Sequence, residues 1–137
     1  MPFDLTIVTP QGEAYHGPAE SVVLPGSEGD FGVLPAHERF LTPLRIGAIQ
    51  IDTGGEVLWA AIAEGFADVT GESVAVLVES CELAGEIDAA RAELAVERAE
   101  QGLRELGVDE DAARIAQYEA ALERATTRLS VSRQRGS

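Results

Sequence analysis

The chain has 137 residues, 45% of them apolar, which suits one folded domain or a small domain with an appendage. Its formal net charge is −14, with 24 acidic residues against 10 basic ones, which argues against nucleic acid and anionic lipid as partners. A single cysteine excludes an intramolecular disulfide, and no run approaches the roughly 18 apolar residues of a membrane span, so neither direct membrane insertion nor a secretory signal is expected.

Residues 1–85 contain short apolar runs separated by turn residues. Their alternation predicts an antiparallel β-sandwich of roughly eight to ten strands. The tripeptide Thr53-Gly54-Gly55 lies between two such runs and is typical of a β-hairpin turn. The apolar runs are Phe3 to Ile7, Val22 to Leu24, Ile46 to Ile51, Val57 to Ile62, and Val74 to Val78.

The segment 25–37 has an unusual composition for a connection between strands. It contains three glycines and two prolines, yet Phe31, Val33 and Leu34 lie in its middle. We therefore expect a shaped and partly buried loop. A phosphate-binding loop is not expected, because no Gly-Lys-Ser/Thr sequence and no helix follow the glycines.

After Gly85 the apolar spacing changes to steps of three and four, which predicts an antiparallel hairpin of two helices over residues 86–137. Gly107 is expected to end the first helix in a left-handed cap, and the acidic run 109–111 to begin the second. Alanine occupies many seam positions, so the hairpin buries little area and should depend on docking against another surface. The two stripes are Ala89, Ala92, Val96, Ala99, Leu103 and Leu106, then Ile115, Tyr118, Leu122, Ala125 and Leu129.

The residue types needed for catalysis or metal binding are scarce. His16 and His37 are the only histidines, and neither belongs to a cluster with metal-ligand spacing. An enzyme with its site at segment 25–37 would need a second catalytic group near His37, and the sequence names none. We expect a protein that is not an enzyme.

Three helical arginines lack a local partner. Arg98, Arg124 and Arg128 have no acidic residue three or four positions away in either direction. They either bond across the hairpin or stay solvated, or they bind an anion such as a nucleotide phosphate or an acidic protein surface.

Several segments, in this order, resemble the epsilon subunit of the rotary proton-translocating ATP synthase, called delta in mitochondria. The matching segments are 25–37, Leu41-Thr42-Pro43-Leu44, 63–69, 74–78, Ile87-Asp88-Ala89-Ala90-Arg91-Ala92, and 124–130. They run through nearly the whole chain, and the change from strands to helices falls where the family has it.

The resemblance implies a non-catalytic rotor subunit of the central stalk, peripheral on the cytoplasmic face of the bacterial inner (plasma) membrane. Its sandwich, residues 1–85, would dock on the gamma subunit and the c-subunit ring, with Glu28, Asp30 and His37 as ring contacts. Its hairpin, residues 86–137, would permit turnover when folded on the sandwich. Extended along gamma, it would reach the alpha/beta catalytic head and inhibit ATP hydrolysis.

Some members of this family bind ATP in the folded hairpin. The matching residues here are Ile87, Asp88, Arg91, Ala92, Arg98, Arg124 and Arg128. Gln117 stands where the ATP-binding pattern has a further arginine, so we expect weak ATP binding and no obligatory cofactor. The alternative is a free-standing nucleotide-sensing or adaptor module that uses the hairpin arginines.

Overall fold

The computed structural model describes residues 2–36, 38–107 and 111–134, and it has strands first and helices after them. The ten strands are β1 Phe3–Thr9, β2 Gly12–Ala19, β3 Ser21–Gly26, β4 Gly29–Val33, β5 Phe40–Leu44, β6 Gly47–Asp52, β7 Val57–Ile62, β8 Gly65–Val69, β9 Ser73–Val78 and β10 Cys81–Leu83. A 3-10 turn at Ala84–Glu86 leads into α1 Ala89–Glu105 and α2 Ala112–Ser132. The predicted fold class, a β-sandwich followed by a helical hairpin, is confirmed.

The strands form one continuous sheet in the order β10-β7-β6-β3-β5-β8-β9-β1-β2, with β4 paired to β3. Leu5 of β1, Leu24 of β3 and Ile51 of β6 are fully buried in one core cluster, although β1 is remote from β3 and β6 in this order. The sheet must therefore fold over on itself, which makes the two layers of a sandwich.

Neighbouring strands pair antiparallel, except that β1 and β9 pair parallel. The alternation of apolar residues does not reveal this exception, because it is the same for both pairings. The predicted hairpin around residue 54 is confirmed, since β6 pairs with β7 and Gly54 turns the chain at φ 92°. Pro18 lies in the edge strand β2, where a missing N–H donor is tolerated.

The segment 25–37 is mostly a strand hairpin rather than a loop, which corrects the prediction. Gly26 pairs with Gly29 at the end of β3 and β4, and a Cβ on Gly26 would lie 2.7 Å from the Gly29 carbonyl oxygen. Glycine thus permits the tight reversal. Phe31 packs edge to face on Phe40, with ring centroids 5.7 Å apart, so this apolar side chain is part of a sheet surface. His37 lies outside the described residues.

The helices form the predicted antiparallel hairpin, and α2 is the helix that packs against β6 and β7. Gly102 of α1 lies opposite Tyr118 of α2, where a Cβ would overlap the tyrosine ring. A second, smaller core joins the hairpin to the sandwich. It consists of Ala61, Ala84, Ile87 and Val131, with Ala48 and Trp59 packed against it.

One helix cap is as predicted and one is not. Asp111 begins α2, and its carboxylate accepts a hydrogen bond from the Ala113 N–H at 2.9 Å. The prediction of a left-handed cap at Gly107 is wrong. Among the described residues, the glycines with a positive φ are Gly12, Gly29 and Gly54, and Gly107 is not one of them. Leu106 leaves α1 in an extended conformation (φ −73°, ψ 134°), so no left-handed residue is needed there. Residues 109 and 110 lie outside the described chain.

Candidate functional site

An apolar row crosses the outer face of four neighbouring strands. Pro43 of β5 pairs with Phe66 of β8, Phe66 pairs with Leu77 of β9, and Leu77 pairs with Val8 of β1. Cross-strand partners share one face of a sheet, so these side chains form a continuous line, which we call the apolar row. Phe66 is 52% exposed and Leu77 is 49% exposed. Contiguous exposed apolar surface is a feature of many interaction sites.

Sequence reasoning missed the apolar row, although part of the pattern was visible. Phe66 and Leu77 occupy outward positions of alternating strands, where polar residues are the rule. Their alignment with Pro43 and Val8 depends on the strand order, which the sequence pattern does not specify.

The predicted ring contacts lie on the β3–β4 hairpin. Glu28 is exposed in the turn between the two strands. Asp30 of β4 accepts a hydrogen bond from Arg45 Nη2 at 2.5 Å, and Arg45 Nη1 donates to the Ile46 carbonyl at 3.2 Å. Glu28 therefore presents a carboxylate to solvent, while the charge of Asp30 is balanced by a guanidinium.

One of the arginines without a local partner has a distant one. Arg128 of α2 donates from Nε to Glu82 Oε1 at 2.6 Å and from Nη2 to Oε2 at 3.4 Å. Glu82 belongs to β10, 46 residues earlier in the chain. Arg128 is thus neither solvated nor bonded across the hairpin, since it ties α2 to the sandwich. Sequence reasoning missed Glu82 because a search three or four residues away cannot find such a pair.

The other predicted nucleotide-binding residues are distributed along the hairpin. Asp88 caps α1 by accepting a hydrogen bond from the Arg91 backbone N–H at 3.2 Å, and Ile87 and Ala92 are buried. Arg98 lines a hollow with Tyr118 and Gly102.

Arg124 lines a different hollow of the hairpin, together with Gln117. Within the described ranges, neither the Arg98 nor the Arg124 guanidinium has an ion pair or hydrogen bond. Both charges are therefore free to attract an anion.

The lone thiol is suited to packing rather than chemistry. Burial, together with the nearby charges of Glu86 and Glu82, raises the pKa of Cys81 to about 12. Cys81 is thus protonated at neutral pH and is a poor nucleophile. Across residues 2–36, 38–107 and 111–134, no three His, Cys, Asp or Glu side chains are grouped to hold a metal ion. None of the helices there is long and apolar enough to cross a bilayer.

These features define a class of protein: a β-sandwich with an apolar row on its outer face, which carries a helical hairpin held by one of its two helices. Two family models match the chain. Residues 2–84 match the ATP synthase, Delta/Epsilon chain, beta-sandwich domain, and residues 86–133 match the long alpha-helix domain of the same chain. The chain belongs to the ATP synthase delta/epsilon family.

Known relatives match over most of the chain. The ATP synthase epsilon chain of Geotalea uraniireducens (strain Rf4) is 41% identical over 92% of this chain and 90% of its own length. The ATP synthase epsilon chain of Syntrophobacter fumaroxidans is also 41% identical, over 93% of both chains. A chain in the cryo-EM structure of the Euglena gracilis mitochondrial ATP synthase (OSCP/F1/c-ring, rotational state 1) aligns with TM-score 0.78 and 26% identity, covering 92% of this chain and 78% of that one.

Proposed function

We propose that this chain is a non-catalytic subunit of the central stalk of an ATP synthase. Its sandwich couples the gamma shaft to the c-subunit ring, and its helical hairpin restrains ATP hydrolysis. The observation that carries the proposal is the docked hairpin, in a chain whose relatives are named ATP synthase epsilon chains. The Euglena neighbour, solved in an assembly with F1 and the c-ring, supports the stalk position.

The sandwich offers two surfaces for the two rotor partners. The apolar row suits a stable contact, so we assign it to gamma. The turn between β3 and β4 carries the exposed Glu28, with Asp30 nearby, and it is assigned to polar loops of the c-ring together with His37. The subunit then lies peripherally on the cytoplasmic face of the bacterial plasma membrane.

The contact between hairpin and sandwich has the weakness expected of a reversible one. Its apolar part is the small cluster around Ile87 and Val131. Beside this cluster a hollow of about 370 Å³ remains between α2 and the sandwich. It is lined by Trp59, Gln50 and Arg45 on one side and by hydroxyl side chains of α2 on the other. The hollow is large enough to hold water, so α2 and the sandwich bury little apolar area against each other there. A few kcal/mol would then shift the hairpin towards an extended state that reaches the alpha/beta head.

The decisive experiment measures ATP hydrolysis by a catalytic head that lacks this subunit. We expect the full chain to bind and inhibit, and a chain ending at residue 88 to bind without inhibiting. If both bind and neither inhibits, the chain is a coupling adaptor and the restraining role is wrong. If neither binds, the stalk assignment itself is wrong.

Nucleotide sensing is a second candidate function, favoured by the free guanidiniums of Arg98 and Arg124. Binding should be weak, because Gln117 supplies no charge beside Arg124 and loss of one charged phosphate contact lowers affinity about tenfold or more. Calorimetric titration of the full chain with ATP should therefore show little heat. An Arg98→Gln, Arg124→Gln double variant is the control, and micromolar binding by the parent chain would contradict the expectation.

A further inference from the structure

We propose that Glu82 and Arg128 form a latch that keeps the hairpin on the sandwich without any bound ligand. Both oxygens of the carboxylate face the guanidinium, at 2.6 Å from Nε and 3.4 Å from Nη2. The Arg128 side chain is 28% exposed and that of Glu82 is 38% exposed. Water therefore screens this two-point contact less than it screens a fully exposed ion pair.

Glu82 is specific among the acidic side chains at this end of the sandwich. Glu86 also lies close enough to raise the pKa of Cys81, but its carboxylate accepts a hydrogen bond from the Leu83 N–H at 2.9 Å. Asp88 is engaged as the cap of α1. Glu82 is the carboxylate of this group that faces α2.

In the docked hairpin, the Glu82 carboxylate serves as an anionic partner that the chain itself supplies. Arg128 belongs to the residues predicted to bind nucleotide phosphate, and here a carboxylate of the same chain already occupies its guanidinium. Docking then has no need of an external anion at this position. Opening exposes both charged groups to water, which solvates them, so the latch strengthens docking without making it irreversible.

The chain contains a matched control on the same helix. Arg133, the C-cap of α2, is exposed and has no ion pair in the part of the chain that the structure describes. Its replacement removes the same charge from α2 without touching the contact to β10.

Opening can be measured at Val131, which is buried where α2 meets the sandwich. In a full-length Cys81→Ser, Val131→Cys background, the rate of thiol labelling reports the fraction of hairpins that have lifted. Glu82→Gln and Arg128→Gln should each raise this rate about threefold to tenfold, as expected for a partly buried charged hydrogen bond. Arg133→Gln should leave it unchanged.

The exchanged pair Glu82→Arg, Arg128→Glu should return the labelling rate towards that of the parent, which separates loss of the latch from misfolding. One molar salt should accelerate labelling of the parent more than that of Glu82→Gln. Equal labelling rates of the parent and of both single-charge variants would overturn the latch.

The expected effect on ATP hydrolysis rests on the proposed function. Because loss of the latch frees the hairpin, the Glu82→Gln variant should inhibit the catalytic head more strongly than the parent chain does. If labelling responds and hydrolysis does not, the latch stands and the restraining role of the hairpin fails.

Discussion

Some glycines lie where two elements approach each other closely, and others do not. A Cβ on Gly65 of β8 would overlap the Leu77 carbonyl oxygen of β9, whereas one on Gly71 would meet nothing within 4 Å. The sequence shows both as glycines next to strands, and their different requirements arise from packing. The neighbour of Gly65 is backbone, which cannot move aside as a flexible side chain can.

Gly65→Ala should therefore destabilise the sandwich by about 1–3 kcal/mol, since the added methyl group forces β8 away from β9. Gly71→Ala is the matched control and should change the free energy of unfolding by less than about 0.5 kcal/mol. Urea unfolding of the two variants and the parent measures both values. Equal midpoints for the two variants would show that the strands can separate freely.

A charged pair links the first two strands at the sheet edge. His16 Nε2 lies 3.0 Å from both carboxylate oxygens of Asp4, with Glu13 Oε1 4.0 Å from Nδ1. The hydrogen bond to Asp4 and its charge raise the pKa of His16 above the ordinary 6.5, with a smaller contribution from Glu13.

The raised pKa of His16 implies that the contribution of this pair to folding stability decreases as the pH rises. The folded chain holds the His16 proton more tightly, so the pair stabilises fully below pH 6.5, and this stabilisation is lost as pH rises through the raised pKa. An NMR titration of the His16 ring should give a pKa above 6.5 that falls in Asp4→Asn. If the pKa of His16 were the same in both chains, Asp4 would not be the group that stabilises the protonated ring.

At the scale of elements, the β-strands and helices follow the local spacing of apolar residues, but their limits depend on contacts. The change of period places the end of the sandwich near Gly85. The Glu86 carboxylate nevertheless accepts from the Leu83 N–H, and Ile87, only 4% exposed, packs on Ala61. We therefore expect the sandwich to include these residues, with the hairpin beginning at the Asp88 cap.

A chain ending at residue 88 should accordingly be more stable than one ending at residue 85. The longer chain retains one hydrogen bond and part of the burial of Ile87, together worth about 1 kcal/mol, or roughly 4–8 °C in Tm for a domain of this size. Thermal unfolding followed by circular dichroism measures the difference. A Tm equal in both chains would place the functional boundary at Gly85.

At the scale of the whole molecule, the apolar row and the docked hairpin lie on different strands. The row uses β5, β8, β9 and β1, whereas α2 packs on β6 and β7. Both contacts can therefore exist at once, so a sandwich bound to its partner can still hold or release its hairpin.

Phe66→Asp and Leu77→Asp should each weaken binding to the gamma subunit about tenfold or more, because a charge in the centre of an apolar contact is costly to desolvate. Val57→Asp is the matched control, since Val57 is also an exposed apolar residue but belongs to β7. The affinities can be measured in a surface-binding assay, with the gamma subunit immobilised and each variant in solution. Similar losses for Val57→Asp and Phe66→Asp would show that the apolar row is not the docking surface.

The local spacing of apolar residues was sufficient to predict much of the secondary structure of this protein. The alternation in residues 1–85 predicts the strands, and the steps of three and four predict the helices. Several short segments, among them Ile87 to Ala92, indicate the family when they are taken together in their order. Each of these properties is written within a few neighbouring residues, because backbone periodicity and turn formation are local.

The contacts on which the proposals rest could be identified only from the tertiary structure. Arg128 meets Glu82 across 46 residues, the apolar row joins side chains of four strands, and β1 pairs parallel with β9. The segment 25–37 became a hairpin because β3 supplies a pairing edge for β4. These contacts depend on strand order and on how the sheet folds over its core, and no short stretch of sequence encodes either.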